Sequence, residues 1–372
     1  MSGIAVLIGT RPEAVKLMPV VRALEAAGAP PSVWVTGQHR EMLQPILAEL
    51  GLRADEDLHV MQPGQGLVDL SARVLTATRD LIARKRPRTL VVEGDTTSVA
   101  MGALAACYEG VSVAHVEAGL RTGDTRNPFP EELNRRLVAS VADLHFAPTP
   151  RARDNLLREG VDPATVHVVG NTVVDALYYA RDHLIPRLPP DARVDGVPGP
   201  SRRLVLVTAH RRESFGPDLL AITDGLRRLA RAFPDTVEIV YPVHLNPQVD
   251  GPVRESLHGI EAVHLMPPLG YLRFVQLLLR ATLVVTDSGG VQEEAAALGI
   301  PLLVARRTSE RLEAVEAGVA EMVGPDADRI FEAASRLLRD PEAHARRARP
   351  TSAFGDGRAA PRIAEVLIQG AR

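Results

Sequence analysis

Val91-Val92-Glu93-Gly94-Asp95-Thr96-Thr97, followed by Val113-Ala114-His115-Val116-Glu117-Ala118-Gly119, decides the fold, because each apolar run ends in a carboxylate beside a glycine. Short apolar runs bounded by turn signals read as buried strands, and the apolar segment 98–108 between them reads as a crossover helix. The two runs are then neighbouring parallel strands. Asp95 and Glu117 leave them at the carboxyl edge of the sheet, where open α/β sheets bind ligands. Taken singly, Asp95 also reads as a helix N-cap and Glu117 as a solvated turn acid. Their pairing at one edge points to proton chemistry on a bound small molecule.

The same alternation extends outward from this pair. Strand-like runs at residues 4–8, 32–35, 89–92, 111–115, 144–147 and 166–168 are separated by helix-patterned stretches, which predicts a doubly wound parallel sheet. The pattern pauses over residues 186–201, which carry Pro186, Pro189, Pro190, Pro198 and Pro200 and read as a linker. It resumes at 203–207, 236–241, 262–265, 283–286 and 301–304. The 372 residues exceed what one core serves, so about two domains are expected. These are residues 1–185 and 202–357, facing one another, with a last helix after the Gly355-Asp356-Gly357 turn.

Composition narrows the function classes. A net charge of -3 gives no footprint for nucleic acid, and 3% aromatic residues leave few stacking platforms. The sole cysteine, Cys107, excludes an internal disulfide or a cysteine-rich metal site and reads as a buried core thiol. No basic segment precedes the first strand and no apolar run reaches about 18 residues, so a soluble, cytoplasmic protein without a membrane partner is expected.

Several segments suit a nucleotide diphosphate. Gly9-Thr10-Arg11-Pro12-Glu13-Ala14-Val15-Lys16 follows the first strand with a tight turn, a helix-starting proline and two cations. It lacks the G-x-G-x-x-G fingerprint, and the chain has no Walker A sequence, which argues against dinucleotide and P-loop sites. In the second half, Val284 to Glu294 runs from a strand into Ser288-Gly289-Gly290 and a helix whose first N–H groups can hold a phosphate. His210, in Thr208-Ala209-His210-Arg211-Arg212-Glu213-Ser214, stands at another strand end beside two arginines. Pro128-Phe129-Pro130-Glu131-Glu132 offers a third acid, Glu131, on a proline-stiffened helix start, where Glu132 reads equally well as a charge complementing the helix dipole.

The ordered set GTRPEAVK (9–16), GQHREML (37–43), EGDTTS (93–98), HVEAGLRTGD (115–124), NPFPEELNRR (127–136), GNTVVDAL (170–177), TAHRRESFG (208–216), YPVHLNP (241–247), TDSGGVQEE (286–294), SERLEAVEAG (309–318) and FGDG (354–357) resembles the non-hydrolysing UDP-N-acetylglucosamine 2-epimerases over essentially the whole chain. The resemblance implies an isomerase with two Rossmann-like domains of the GT-B type, a cleft for the UDP-sugar, and a C-terminal helix (358–372) crossing back to the first domain. It implies a homodimer, and interconversion of UDP-GlcNAc and UDP-ManNAc through loss of UDP to 2-acetamidoglucal and re-addition, with no redox cofactor and no metal.

By motif, the resemblance makes Asp95, Glu117 and Glu131 the acid/base group and puts His210 near the departing diphosphate. Arg11, Lys16, Ser288, Gly289, Gly290, Glu294 and Arg311 match the nucleotide-diphosphate contacts, and Phe274 and the backbone at Leu269 match the uracil position. Gln38, Glu41, Arg211 and His244 fall in the motifs of an activator UDP-GlcNAc site. Glu41 replaces a frequent glutamine, and Arg307, Leu312 and Leu269 depart from the family pattern. Alternatives are a 2-epimerase of a modified UDP-sugar, a hydrolysing relative that releases ManNAc, a GT-B glycosyltransferase and a non-catalytic UDP-sugar-binding regulator.

Overall fold

The computed structural model describes residues 3–37, 40–62, 64–188, 202–211 and 214–370, with backbone only for 40–42. Gln38, the Glu41 side chain, Arg212 and most of the expected linker lie outside the described residues. The chain divides into two compact units, residues 1–179 with 355–372, and residues 180–354.

The first unit is built on strands β1 (Ile4–Ile8), β2 (Ser32–Val35), β3 (Glu56–Asp57), β4 (Thr89–Glu93), β5 (Ser112–Val116), β6 (Leu144–Ala147) and β7 (Val166–Val168). They pair in parallel in the order β3-β2-β1-β4-β5-β6-β7. Continuous apolar sequences such as Ile4-Ala5-Val6-Leu7-Ile8 form the central strands because helices cover both faces, leaving no solvent face for polar residues to occupy. The strand order reverses between β1 and β4, and the loops leaving the carboxyl ends of such a pair open a crevice there. Those loops carry Gly9 to Arg11 and Gly94 to Asp95. The β4–β5 register pairs Glu93 with Val116, so Glu117 leaves β5 at the same edge.

The second unit repeats the plan with β8 (Arg203–Thr208), β9 (Val237–Pro242), β10 (Val263–Met266), β11 (Ala281–Thr286), β12 (Leu302–Val304) and β13 (Ala320–Met322), parallel in the order β10-β9-β8-β11-β12-β13. Its reversal lies between β8 and β11, and these strands lead into His210 and Ser288-Gly289. The chain therefore contains two Rossmann-like parallel-sheet units.

The C-terminal helix, Ala359–Gln369, buries Ala359, Ala360, Ile363, Ala364 and Leu367 and packs on helices Arg11–Ala26 and Thr172–Tyr179 of the first unit. Asp175 caps it, with Oδ2 accepting the Ala359 N–H at 3.2 Å and Oδ1 that of Ala360 at 2.8 Å. Loss of such a cap in Asp175→Ala should cost about 1 kcal/mol, read as a lower denaturation midpoint. An unchanged midpoint would show that packing alone holds the helix.

Two expectations are corrected. Strands β3 and β13 were not foreseen; they are two- and three-residue edge strands, too short to show a period. Cys107 is exposed rather than buried. Its helix, Thr97–Tyr108, is apolar nearly all round, so composition does not mark the packed face, and Cys107 falls in the last turn beside exposed Tyr108. Among the described residues no helix is long and apolar enough to cross a membrane.

Candidate active site

At the carboxyl edge of the first sheet, Gly9 is required by close approach: a Cβ there would lie 2.7 Å from Ser98 Cβ. The helix that follows, Arg11–Ala26, has Pro12 in its first turn and Arg11, half-buried, at its start. Glu13 turns inward from that helix. Its Oε2 accepts the Gly9 N–H at 2.6 Å, and its Oε1 accepts the hydroxyls of Thr10 at 3.0 Å and Thr96 at 2.8 Å. One buried carboxyl thus ties the loop after β1 to the loop after β4.

Burial pushes the Glu13 pKa up from 4.5 to about 7, against the lowering effect of its donors. Between those values the folded chain keeps a proton that the unfolded chain gives up. The stabilisation from this group is therefore complete below pH 4.5 and is lost as pH rises through 7, an effect on the order of 3 kcal/mol. The stability of Glu13→Gln relative to the parent should accordingly rise by that amount from pH 4.5 to 8 in denaturant titrations. A difference that stays flat with pH would contradict the buried titration. His115 works in the opposite sense: burial lowers it to about 4, so its neutral form is favoured, and that contribution is lost as pH falls from 6.5 toward 4. Neutral His115 donates from Nε2 to the Gly94 carbonyl at 2.8 Å, pinning the loop that carries Asp95.

Lys16 meets two carboxylates at this edge, Glu93 Oε1 at 2.9 Å and Glu117 Oε2 at 2.6 Å. Asn171 Nδ2 donates to the same Glu117 oxygen at 2.6 Å. Glu117 itself has φ of 62°, in the left-handed region that a non-glycine residue enters at a cost, so backbone strain accompanies its placement. Burial pushes Glu93 well above the ordinary carboxyl range, with the Lys16 charge opposing. Lys16, expected as a diphosphate contact, is thus engaged by acids.

Asp95 is not the N-cap of the helix after β4; Thr96 is, accepting the Val99 N–H at 3.3 Å. The Asp95 carboxylate instead faces helix Glu131–Val141. Arg135 reaches its Oδ2 through Nε at 2.8 Å and Nη2 at 2.7 Å. Asn134 Nδ2 holds the Asp95 carbonyl at 2.9 Å. Glu132 is fully buried and accepts from Arg135 Nη1 at 2.9 Å and from the N–H groups of Thr122 at 3.0 Å and Gly123 at 3.3 Å. It anchors this turn in addition to placing a negative charge in the first turn of the helix. Glu131, the first residue of the helix, is half-buried, and no hydrogen bond or ion pair engages its side chain among the described residues.

In the second unit, buried Asp287 accepts the N–H groups of His210 and Arg211 on Oδ2, each at 2.9 Å, fixing the loop after β8 to the end of β11. The His210 ring has an open edge and stacks on His244 at 5.4 Å between centroids with 10° between planes. Desolvation of its packed side lowers its pKa; Asp287 opposes this, and His244 and Arg211 add to it. Helix Gly289–Leu298 starts behind Ser288, whose hydroxyl makes no cap bond, so its first-turn amides are suited to an anion.

Gly289 is glycine because Arg311 runs beneath it; a Cβ would lie 2.5 Å from the guanidinium carbon. Arg311 bonds Glu293 Oε1 at 2.8 Å and also Glu310, which Arg306 holds at 2.8 Å and Arg211 approaches at 3.6 Å. Tyr271 donates to Glu294 Oε1 at 3.1 Å. Phe274 and Leu269, at the expected uracil position, are half-buried in and just before helix Tyr271–Arg280. Arg307 pairs with Asp218 at 2.7 Å on the surface, and Leu312 starts the short helix Leu312–Glu316.

The residues that sequence reasoning passed over are the partners. Glu13 carried a signal in the Thr10-x-x-Glu13 capping-box spacing, and Glu132 with Arg135 in an i,i+3 charge pair. Glu93, Asn171, Asp287, Glu293 and Glu310 carried none beyond lying inside the recognised motifs.

Comparison with known proteins identifies the family. Residues 22–368 match the family model described as UDP-N-acetylglucosamine 2-epimerase. A protein of Ralstonia solanacearum described as a probable UDP-N-acetylglucosamine 2-epimerase is 48% identical over 99% of both chains. The UDP-N-acetylglucosamine 2-epimerase of Escherichia coli K12 is 45% identical over 97% of each. The crystal structure of UDP-GlcNAc 2-epimerase from Neisseria meningitidis bound to UDP-GlcNAc superposes with a TM-score of 0.92 at 38% identity, covering 98% of this chain and 99% of that one.

Proposed function

Because the chain belongs to the UDP-N-acetylglucosamine 2-epimerase family, we propose that it is a non-hydrolysing member that interconverts UDP-GlcNAc and UDP-ManNAc. The observation that carries this reading is the pair Asp95 and Glu117 at the carboxyl edge of the first sheet, Asp95 gripped by buried Arg135 and Glu117 by half-buried Lys16.

The chemistry asks for such an arrangement. The C2 hydrogen of the sugar is weakly acidic, so a carboxylate removes it only as the C1–O bond to UDP breaks. The electron pair of the C2–H bond becomes the C1=C2 bond of 2-acetamidoglucal, and that of the C1–O bond leaves on the β-phosphate. Charge building on the diphosphate is stabilised by donors fixed beforehand. Within the second unit this reading gives that part to the first-turn amides of helix Gly289–Leu298, the Ser288 hydroxyl and Arg311, with His210 a donor to the departing oxygen. UDP then adds back while C2 takes a proton on the opposite face. Two faces call for more than one acid, which accounts for Asp95, Glu117 and Glu131.

The test is incubation with UDP-GlcNAc and no acceptor, followed by separation of nucleotides and sugars. The proposal expects UDP-ManNAc with total UDP-sugar conserved. Accumulation of free ManNAc and UDP would assign the hydrolysing type, and an unchanged substrate would reject UDP-GlcNAc as the donor.

A further inference from the structure

Both guanidinium contacts of Arg135 to Asp95 fall on the same oxygen. Nε and Nη2 converge on Oδ2 at 2.8 and 2.7 Å, and nothing hydrogen-bonds Oδ1 among the described residues. A fork that placed one nitrogen on each oxygen would tie up both lone-pair systems; this approach locks the carboxylate plane and leaves one oxygen to take a proton. The third nitrogen, Nη1, is held by buried Glu132, itself fixed by two backbone N–H groups. Arg135 is 5% exposed, and its neighbour Asn134 grips the backbone of the same aspartate. Glu131 stands at the head of the same helix, so a single turn sets the orientation of Asp95 and the origin of Glu131 together.

We propose that Arg135, anchored by Glu132, is a positioning residue for catalysis: it aims Asp95 Oδ1 at the reacting carbon, and it acts through Asp95 without touching the sugar. This rests on the epimerase reading above. Misplacing a reacting group by about 1 Å costs roughly 100-fold in rate, which sets the scale of the effect. Arg135→Met keeps the aliphatic stem and removes the fork. Arg135→Lys keeps the charge but offers one point of contact in place of the two that converge on Oδ2.

The experiment measures kcat, KM and UDP affinity for Arg135→Met, Arg135→Lys, Arg135→Ala and Asp95→Asn in the full-length protein. Arg135→Met should lose about 100-fold in kcat with KM and UDP affinity within about twofold, and Arg135→Lys should recover about tenfold of that loss. Added guanidinium ion at low millimolar concentration should raise the turnover of Arg135→Ala and leave that of Asp95→Asn unchanged. Retention of kcat within about threefold by Arg135→Met, alongside an inactive Asp95→Asn, would overturn the inference and leave the epimerase reading standing. Parallel loss of kcat and UDP affinity, unrelieved by lysine or guanidinium, would overturn it in favour of a structural role. Should the methionine variant fail to fold, the lysine variant decides by its kcat-against-KM split. Full turnover in Asp95→Asn would instead remove the acid/base reading on which the inference depends.

Discussion

Glu131→Gln, Glu117→Gln and Asp95→Asn are each expected to lower turnover of UDP-GlcNAc by about 100-fold to 10,000-fold, the range of a lost general acid or base, while UDP affinity stays within about twofold. The three differ in what else they disturb. Glu131 has no side-chain partner among the described residues, so its amide changes chemistry and little else. In Glu117→Gln the new side chain must turn its carbonyl oxygen to Lys16 and Asn171, which both donate, and the fold can absorb that. Asp95→Asn weakens the grip of Arg135, so part of its loss is geometric. Steady-state kinetics with UDP titrations checks all three. Near-normal turnover in the whole set would sink the acid/base assignment.

The second large effect is on stability. Arg311→Met leaves the carboxylates of Glu293 and Glu310, 0% and 7% exposed, with Arg306 as the main remaining cation. Breaking a buried pair from one side costs about 3–5 kcal/mol because the orphaned charge stays desolvated. Gly289→Ala should act on the same contact from above, since its Cβ would displace the Arg311 guanidinium. Denaturant unfolding should show the loss for both, and UDP should stabilise either variant less than the parent, as expected when a ligand binds the folded state more weakly. A loss below about 1 kcal/mol in Arg311→Met would mean that the two acids take up protons or solvent at little cost.

The architecture was legible because parallel strands buried on both faces are mainly apolar, and residues 89–92 and 111–115 are so apart from Thr89, Ser112 and His115, each run stopping at an acid with a glycine within two residues. Strand order follows once the crossover connections are seen. The edge strands escaped because Glu56-Asp57 has no period to read. At the site, recognising a motif named residues without naming their partners. Lys16 looks like a free cation in the sequence, whereas Glu93 and Glu117, 77 and 101 residues away, are brought to it only by the sheet. Glu132 and Arg135 read as an ordinary helical charge pair, and only the β4 loop placed beside them turns that pair toward Asp95. Burial, which raises Glu13 to about 7, is a tertiary property that local spacing does not encode.

The central claim is that carboxylates move the C2 proton of a UDP-sugar on opposite faces. It is tested most directly by proton and phosphorus NMR of the full-length protein with UDP-GlcNAc in deuterated water. UDP-ManNAc carrying deuterium at C2, formed with the anomeric phosphate bond restored, is the predicted result. UDP-ManNAc that retains the original hydrogen at C2 would contradict the account, because the proton would then not have passed through groups that exchange with solvent.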